Sequence, residues 1–368
     1  MLTSNIILKN FKINKKKTIV KKKLQSIIND KKNNIFLSLG KNYKYSFKTS
    51  RIKKYKKFLN FRVIGMGGSI LGTKAIYEFL NYKIKKKFMF IDNLQNTNKK
   101  IKKKNILNVI VSKSGNTIET IVNSNIIIKK NDKAIFITEN TKNYLYSIAE
   151  KMKSEIIHHN NFIGGRYSVL SEVGIVPAFL MGLNINKLKF NFQSFFKSKN
   201  KKFLQDSTIK LANLLKQKKY TNIIFLNYSP KLEKFLYWCQ QLIAESLGKN
   251  LSGFLPVISN APKDHHSLLQ LYLDGPKDKL FHIFSYEKKS NKKLTTDKLP
   301  ENLSFLNNKS IEQIKNSQKN ALIKTLLTNK IPFREFKIKK FDEETLGQLF
   351  SYFILETAIT GKLININP

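Results

Sequence analysis

The sequence predicts an α/β protein built from doubly wound, mostly parallel sheets. Three observations predict it. Short apolar runs recur as strand candidates, among them Leu107–Val111, Ala134–Thr138 and Ile223–Leu226. Stretches with apolar residues at helical spacing separate them, the pattern of strand–helix–strand crossovers. The run Leu107–Val111 stops abruptly at the polar loop Ser112–Thr117, the kind of loop that an open parallel sheet presents at the carboxyl ends of its strands. A length of 368 residues favours two domains. These are placed at 46–190 and 191–368, behind a helical entry segment over 1–45.

Composition narrows the function. A hydrophobic content of 41% fits a globular chain. The net charge of +44 invites a nucleic-acid partner. However, Arg51, Arg62, Arg166 and Arg334 are the only arginines, and Lys, Asn and Ile are abundant throughout. That is a chain-wide drift in composition, whereas nucleic-acid readers favour Arg for bidentate contacts. A solvated Lys-rich surface is expected, with no nucleic-acid partner. Cys239 is the single cysteine, so no intrachain disulfide can form and a reducing compartment is expected. No apolar run approaches the ~18 residues of a membrane helix, and no signal-peptide core follows the N-terminus. A cytoplasmic protein without a membrane partner is expected.

Residues 1–60 are Lys-rich, with helical patterning around Val20–Ile28 and a short strand or helical turn at Ile35–Leu39. Phe61, Val63 and Ile64 begin a strand. Gly65, Gly67, Gly68 and Ser69 then make a glycine-rich turn, and Ile70–Leu80 a helix. The spacing is not the dinucleotide fingerprint; the turn either brings amides to a ligand or packs tightly. Phe88–Ile91 is a strand. After Leu107–Val111, the residues Ile118, Ile121, Val122, Ile126 and Ile127 mark a helix, Ile118–Lys130. The loop between them carries Ser112, Lys113, Ser114 and Thr117 beside free helix amides, which suits a phosphate, with Gly115 letting the backbone turn around it. The alternative is an ordinary strand-to-helix loop with a Ser N-cap.

Further along, Gly164-Gly165-Arg166 precedes a helix carrying Val173–Leu183, which Ser168 and Ser171 can cap. Arg166, in a chain so poor in Arg, suits an oxyanion or phosphate, or pairs with Glu172. Lys187–Lys202 reads as a crossing between domains. A helix over Lys231–Leu247 turns Trp238, Cys239, Leu242 and Ile243 inward. Gln241 and Glu245 share one of its faces, either as a solvent-facing pair or with Glu245 as a general base. Asp264, His265 and His266 are not expected to hold a metal, because adjacent histidines point to different helix faces and no third ligand follows at metal spacing. Phe281–Ser285 is a strand, 286–310 a polar segment that is either mobile or at an edge, Ile311–Thr328 a helix, Phe336–Ile338 a candidate strand and Glu343–Gly361 an apolar helix. Both halves alternate strand and helix, which makes a duplicated fold plausible.

Five islands occur together and in order: Gly65-Met66-Gly67-Gly68-Ser69, Ser112-Lys113-Ser114-Gly115-Asn116-Thr117-Ile118-Glu119-Thr120, Gly164-Gly165-Arg166-Tyr167-Ser168, Glu245-Ser246-Leu247-Gly248-Lys249 and His266-Ser267-Leu268-Leu269-Gln270-Leu271. From about residue 61 to the end the chain resembles the glucose-6-phosphate isomerases. The Ser-x-Ser-Gly-x-Thr loop alone marks the broader sugar isomerase superfamily, and the Gly-Gly-Arg-Tyr-Ser and Glu-Ser-x-Gly-Lys islands are more specific. The resemblance implies two sugar isomerase domains, a homodimer, and interconversion of glucose 6-phosphate and fructose 6-phosphate through a cis-enediol without metal or cofactor.

By motif, the resemblance implies that Ser112, Ser114 and Thr117 hold the phosphate, with Lys113 and the Gly68-Ser69 turn nearby. Glu245 takes the C2 proton and Arg166 stabilises the enediolate oxygen. His266 opens the ring from the partner subunit, while Gln241 and Glu119 line the sugar pocket. The chain departs from the family at Ile70, where many members have Asp, at Leu247 in place of Asn, and at His265, often Gln. Family members also continue past Asn-Pro into a segment with an active-site Lys. A truncated sequence is the leading expectation, and a phosphosugar-binding module with impaired catalysis is the alternative.

Overall fold

In the computed structural model, the residues described are 3–9, 34–40, 43–94, 105–189, 192–196, 198–287, 292–295 and 300–368. The first strand, β1 (Ile6–Lys9), lies at the edge of the second of two five-stranded sheets. It runs antiparallel to a strand near the other end of the chain, pairing Ile6 with Ile338. This stretch was expected to be helical. Ile6 and Leu8 alternate with Ile7 and Lys9, and the first two are buried, so period-two burial prevails over the Lys-rich composition. The expected helical patterning at Val20–Ile28 lies outside the described residues, and Asn34–Leu39 forms a 3₁₀ turn.

The first sheet contains β2 (Asn60–Ile64), β3 (Lys87–Ile91), β4 (Ile106–Val111), β5 (Ala134–Thr138) and β6 (Glu155–His158), in the order β3-β2-β4-β5-β6. Every pairing in it is parallel, for example Val63 to Val109 and Ile110 to Phe136. Helix α1 (Leu71–Leu80) follows β2, α2 (Ile118–Ile127) follows β4, and α3 (Tyr144–Lys151) connects β5 to β6. Then comes α4 (Glu172–Leu180). The chain leaves β2 for β3 on one side and returns to β4 on the other. The carboxyl ends of β2 and β4 therefore flank the topological switch point, where such sheets bind ligands. The glycine-rich turn follows one of these strands and the hydroxyl-rich loop the other.

Helix α5 (Ser198–Gln217) opens the second half and overlaps the end of the expected crossing, Lys187–Lys202. Strands β7 (Asn222–Asn227), β8 (Leu255–Asn260), β9 (Lys279–Tyr286) and β10 (Phe333–Ile338) follow, and the sheet order is β1-β10-β9-β7-β8. Apart from β1, all are parallel. Four strands thus repeat the winding of the first sheet, as a duplicated fold requires. β8 gave no clear strand signal because Pro256 interrupts it, and it sits at the sheet edge, where a missing amide donor is tolerated. Helices α6 (Glu233–Leu247), α7 (Lys263–Ser267), α8 (Leu269–Leu273), α9 (Ile311–Thr328) and α10 (Glu343–Leu363) complete the chain.

The equivalent helices α1 and α6 pack on each other between the sheets, and α10 packs against α5 and α6. Their buried side chains join one core that spans both halves and includes Phe79, Trp238, Cys239, Phe350 and Phe353. Within it, Arg334 and Glu356 form a two-pronged ion pair at 2.6 and 2.8 Å, flanked by Ser207, Tyr352 and His282. Helix α2 reverses the usual amphipathic rule. Its Ile118, Val122 and Ile126 are exposed, while Thr120, Asn123 and Ser124 are buried. Asn123 Nδ2 donates to the carbonyl of Asn93 at 3.1 Å, which keeps the polar face inward. No helix among the described residues is long and apolar enough to cross a membrane.

Candidate active site

The hydroxyl loop is built by β4 and closed by its own side chains. The Ser112 amide bonds to the Ile137 carbonyl at 3.1 Å, extending the ladder one residue past the strand. Ser112 Oγ and Thr117 Oγ1 lie 2.9 Å apart across the loop. Thr117 occupies the N-cap position of α2, but its side chain makes no capping bond. The ordinary Ser N-cap is therefore not what forms. The first-turn amides of α2 are left without a side-chain cap at the end of a ten-residue helix, and both hydroxyls face each other over the turn. Gly115 has φ +68°, and a Cβ there would fall 1.8 Å from Asn143 Oδ1. That Asn is the N-cap of α3, accepting from the Tyr146 amide at 2.9 Å. Lys113 Nζ stands 3.5 Å from Glu139, Ser114 Oγ accepts from the Asn116 amide at 3.3 Å, and Glu119 is half-exposed in the first turn of α2.

The glycine-rich turn is tightly packed. A Cβ on Gly65 would meet the Val111 carbonyl at 2.8 Å, so the turn lies beside the end of β4. One on Gly67 would meet Gln241 Nε2 at 2.9 Å, and one on Gly68 the Gly165 carbonyl carbon at 2.2 Å. Ser168 Oγ ties the same two segments, donating to the Gly165 carbonyl at 2.7 Å and lying 3.4 Å from the Gly68 carbonyl. Ser69, half-buried, bonds through its amide to the Met66 carbonyl. The glycine turn, the Arg166 loop and α6 are thereby held against one another.

Arg166 and Glu245 meet at this junction. Arg166 Nη1 donates to Glu245 Oε1 at 2.5 Å, with the Arg side chain 14% exposed and the Glu side chain 50%. Gln241 Nε2 donates to the other oxygen, Oε2, at 3.1 Å. The guanidinium stacks over the Tyr167 ring, 4.9 Å from its centre. Glu172, the alternative partner for Arg166, is elsewhere. It is fully buried and takes hydrogen bonds from the Tyr43 hydroxyl at 2.9 Å and the Ser46 amide at 3.0 Å. Burial pushes its pKa up, but these bonds and His159 outweigh that and hold it below the usual value. Nor do Ser168 and Ser171 cap α4: Ser171 sits at the N-cap but its hydroxyl donates back to the Ser168 carbonyl.

His266 lies exposed on α7, and no side-chain bond joins it to Arg166 or Glu245 among the described residues. Its neighbour His265 turns inward, with Nε2 2.8 Å from the Tyr228 hydroxyl, and burial lowers its pKa. Asp264 orients the segment by accepting from the Asn260 amide at 2.7 Å. Asn260 in turn links to Asn227 and Glu233 at 2.9 and 3.0 Å. The residues that sequence reasoning passed over are Tyr167 and Ser246, both buried and both bonded into the Arg166 site. Each stands directly beside a residue that was singled out, and that adjacency was the available signal.

Two parallel sheets wound alike, with a hydroxyl loop at the first switch point and a Glu–Arg pair at the junction, define a protein of the sugar isomerase fold class. Solved structures agree on the fold. A hypothetical protein from Thermus thermophilus superposes with a TM-score of 0.82 at 21% identity, covering 95% of this chain and 90% of that one. A glucose-6-phosphate isomerase from Chlamydia trachomatis gives 0.69 at 19% identity, over 87% and 69%. The chain belongs to the phosphoglucose isomerase family, whose model matches residues 41–368. It is 33% identical over 345 residues to the glucose-6-phosphate isomerase of Methanocaldococcus jannaschii, spanning 88% of this chain and 83% of that protein. It is 32% identical over 343 residues to that of Campylobacter jejuni, spanning 86% and 82%.

Proposed function

We propose that this chain interconverts glucose 6-phosphate and fructose 6-phosphate, with two sugar isomerase domains at 46–190 and 191–368 enclosing the substrate. The observation that carries the reading is the Arg166–Glu245 pair, a half-exposed carboxylate 2.5 Å from a cationic donor, which supports a base and a charge stabiliser acting on adjacent substrate atoms. Ser112, Ser114 and Thr117 take the phosphate with the α2 amides, and Lys113, Gly68 and Ser69 flank it. Glu245 removes the proton from C2 of the open-chain aldose, and the electron pair passes to the carbonyl oxygen at C1. Arg166 offsets the negative charge that develops there. In the resulting cis-enediol the C2 hydroxyl gives up its proton as O1 gains one, and the same carboxyl returns its proton to C1, so that the carbonyl now stands at C2. No net oxidation occurs, and the scheme uses no cofactor. Gln241 and Glu119 hold the sugar, and His266 opens the ring from across a homodimer interface in the cytoplasm.

Turnover of fructose 6-phosphate by the purified chain tests the reading. Glu245→Gln keeps the shape but cannot accept the proton, so kcat should fall by about 10²–10⁴-fold with little change in KM. If the variant keeps most of its activity, the base assignment is wrong.

A further inference from the structure

We propose that Ser246 and Tyr167 are positioning residues that aim the Arg166 guanidinium, an inference that rests on the role given to Arg166 above. Ser246 follows Glu245 on α6, yet the two face opposite surroundings: Glu245 is half-exposed and Ser246 is fully buried. Two consecutive residues of one helix therefore grip the same side chain. Glu245 Oε1 accepts from Nη1 at 2.5 Å, and Ser246 Oγ accepts from Nε at 2.8 Å. The Ser246 hydroxyl is itself held, because the Tyr167 hydroxyl lies 2.8 Å from Oγ and Tyr167 is 1% exposed. The Tyr167 ring also supports the guanidinium face.

The consequence is geometric. The bond from Arg166 to Glu245 weakens when Glu245 takes a proton, because a protonated carboxyl has lost the charge that strengthens that bond. Through that step the Nε–Ser246 bond and the contact with the Tyr167 ring keep their strength and hold the guanidinium. No protein partner for Nη2 is found among the described residues, which leaves that nitrogen for a substrate oxygen. A buried hydroxyl locked by a buried phenol keeps its direction, and a donor fixed in advance is what stabilises developing charge.

Arg166 also permits a test that separates positioning from general structure. Ser246→Ala and Tyr167→Phe are each made in the natural chain and in an Arg166→Ala background, and steady-state kcat and KM are measured beside thermal melting. Ser246→Ala should lower kcat by about tenfold or more, the worth of a charge-assisted hydrogen bond, and move KM little. Tyr167→Phe keeps the ring and should show a smaller loss of the same kind. In the Arg166→Ala background both losses should shrink to near unity, because the residue they act through is gone. Equal losses in both backgrounds, or a full kcat in both single variants, would overturn the positioning role. If Ser246→Ala fails to fold, Tyr167→Phe decides by the same comparison. Full activity in Arg166→Ala alone would instead sink the assignment of Arg166, a failure distinct from the first two.

Discussion

Gly68 and Gly165 lie backbone against backbone. A Cβ on Gly68 would stand 2.2 Å from the carbonyl carbon of Gly165 and 2.7 Å from the amide nitrogen of Arg166. No flexible side-chain end is there to yield, so Gly68→Ala must displace the loop that carries Arg166. The expected cost is about 1–3 kcal/mol of stability, with a larger loss of kcat than the lost folded fraction explains. Gly182→Ala is the control. Its φ of +88° strains any side chain, but nothing lies within 4 Å, so activity per folded molecule should be kept. Urea denaturation and turnover measured on the same samples decide. Normal kcat in folded Gly68→Ala would show that the contact does not govern Arg166.

The Ser112–Thr117 contact makes a prediction about binding alone. Thr117→Val keeps the shape of the side chain and removes one of the two facing hydroxyls. Loss of a hydrogen bond to a charged group is worth about 1.5–3 kcal/mol, so KM for fructose 6-phosphate should rise about tenfold or more while kcat changes little. Inhibition by inorganic phosphate should weaken by a similar factor. An unmoved KM together with unmoved phosphate inhibition would remove this loop from the phosphate site.

The buried Arg334–Glu356 pair governs stability, away from the reacting groups. Burial lowers the Arg334 pKa, but Glu356 outweighs it and raises the value. Glu356→Gln leaves that cation buried without its counter-charge, which costs about 3–5 kcal/mol. The double variant Arg334→Met/Glu356→Leu should recover much of this loss, since a buried pair replaced by apolar groups is often near neutral. Unfolding midpoints in urea test both. Equal destabilisation by the single and double variants would show that packing, and not charge, sets the cost.

Lys189 predicts a pH dependence. Burial lowers its pKa from 10.5 to about 8, with Glu172 opposing, and its Nζ lies over the rings of Tyr43 and Tyr45. Below about pH 8 the ammonium is charged in both folded and unfolded chains, and the cost of its burial is fully present. Between about 8 and 10.5 the unfolded chain binds more protons, so this group adds stability as pH rises. Lys189→Met should remove that rise, read as the difference in urea stability from the natural chain across this range. A pH-independent stability difference would contradict the lowered value.

Much of the fold was legible because its signals are local. Ala134–Thr138 and Ile311–Thr328 appear with the expected bounds, since an unbroken apolar run and a helical period each lie within one stretch of chain. Other elements left weaker local marks. Glu155–His158 is a four-residue edge strand, and β8 carries a proline. The apolar residues of α2 announce a helix correctly, but their spacing says nothing about which face turns inward, and here Asn123 decides it.

The sequence by itself determined the alternation of strands and helices, the hydroxyl loop after β4, the glycine-rich turn after β2 and the family, because each resides in contiguous residues. Only the tertiary structure decided the partners. It joined Ile6 to Ile338, paired Arg166 with Glu245 and not with Glu172, and put Ser246 beneath the guanidinium. These contacts link residues 79 or more positions apart along the chain, and side chains so distant leave no periodicity from which their meeting could be read. They are set when the two sheets and the helices α1 and α6 pack, since it is that packing which decides which polar groups lose water and must find one another.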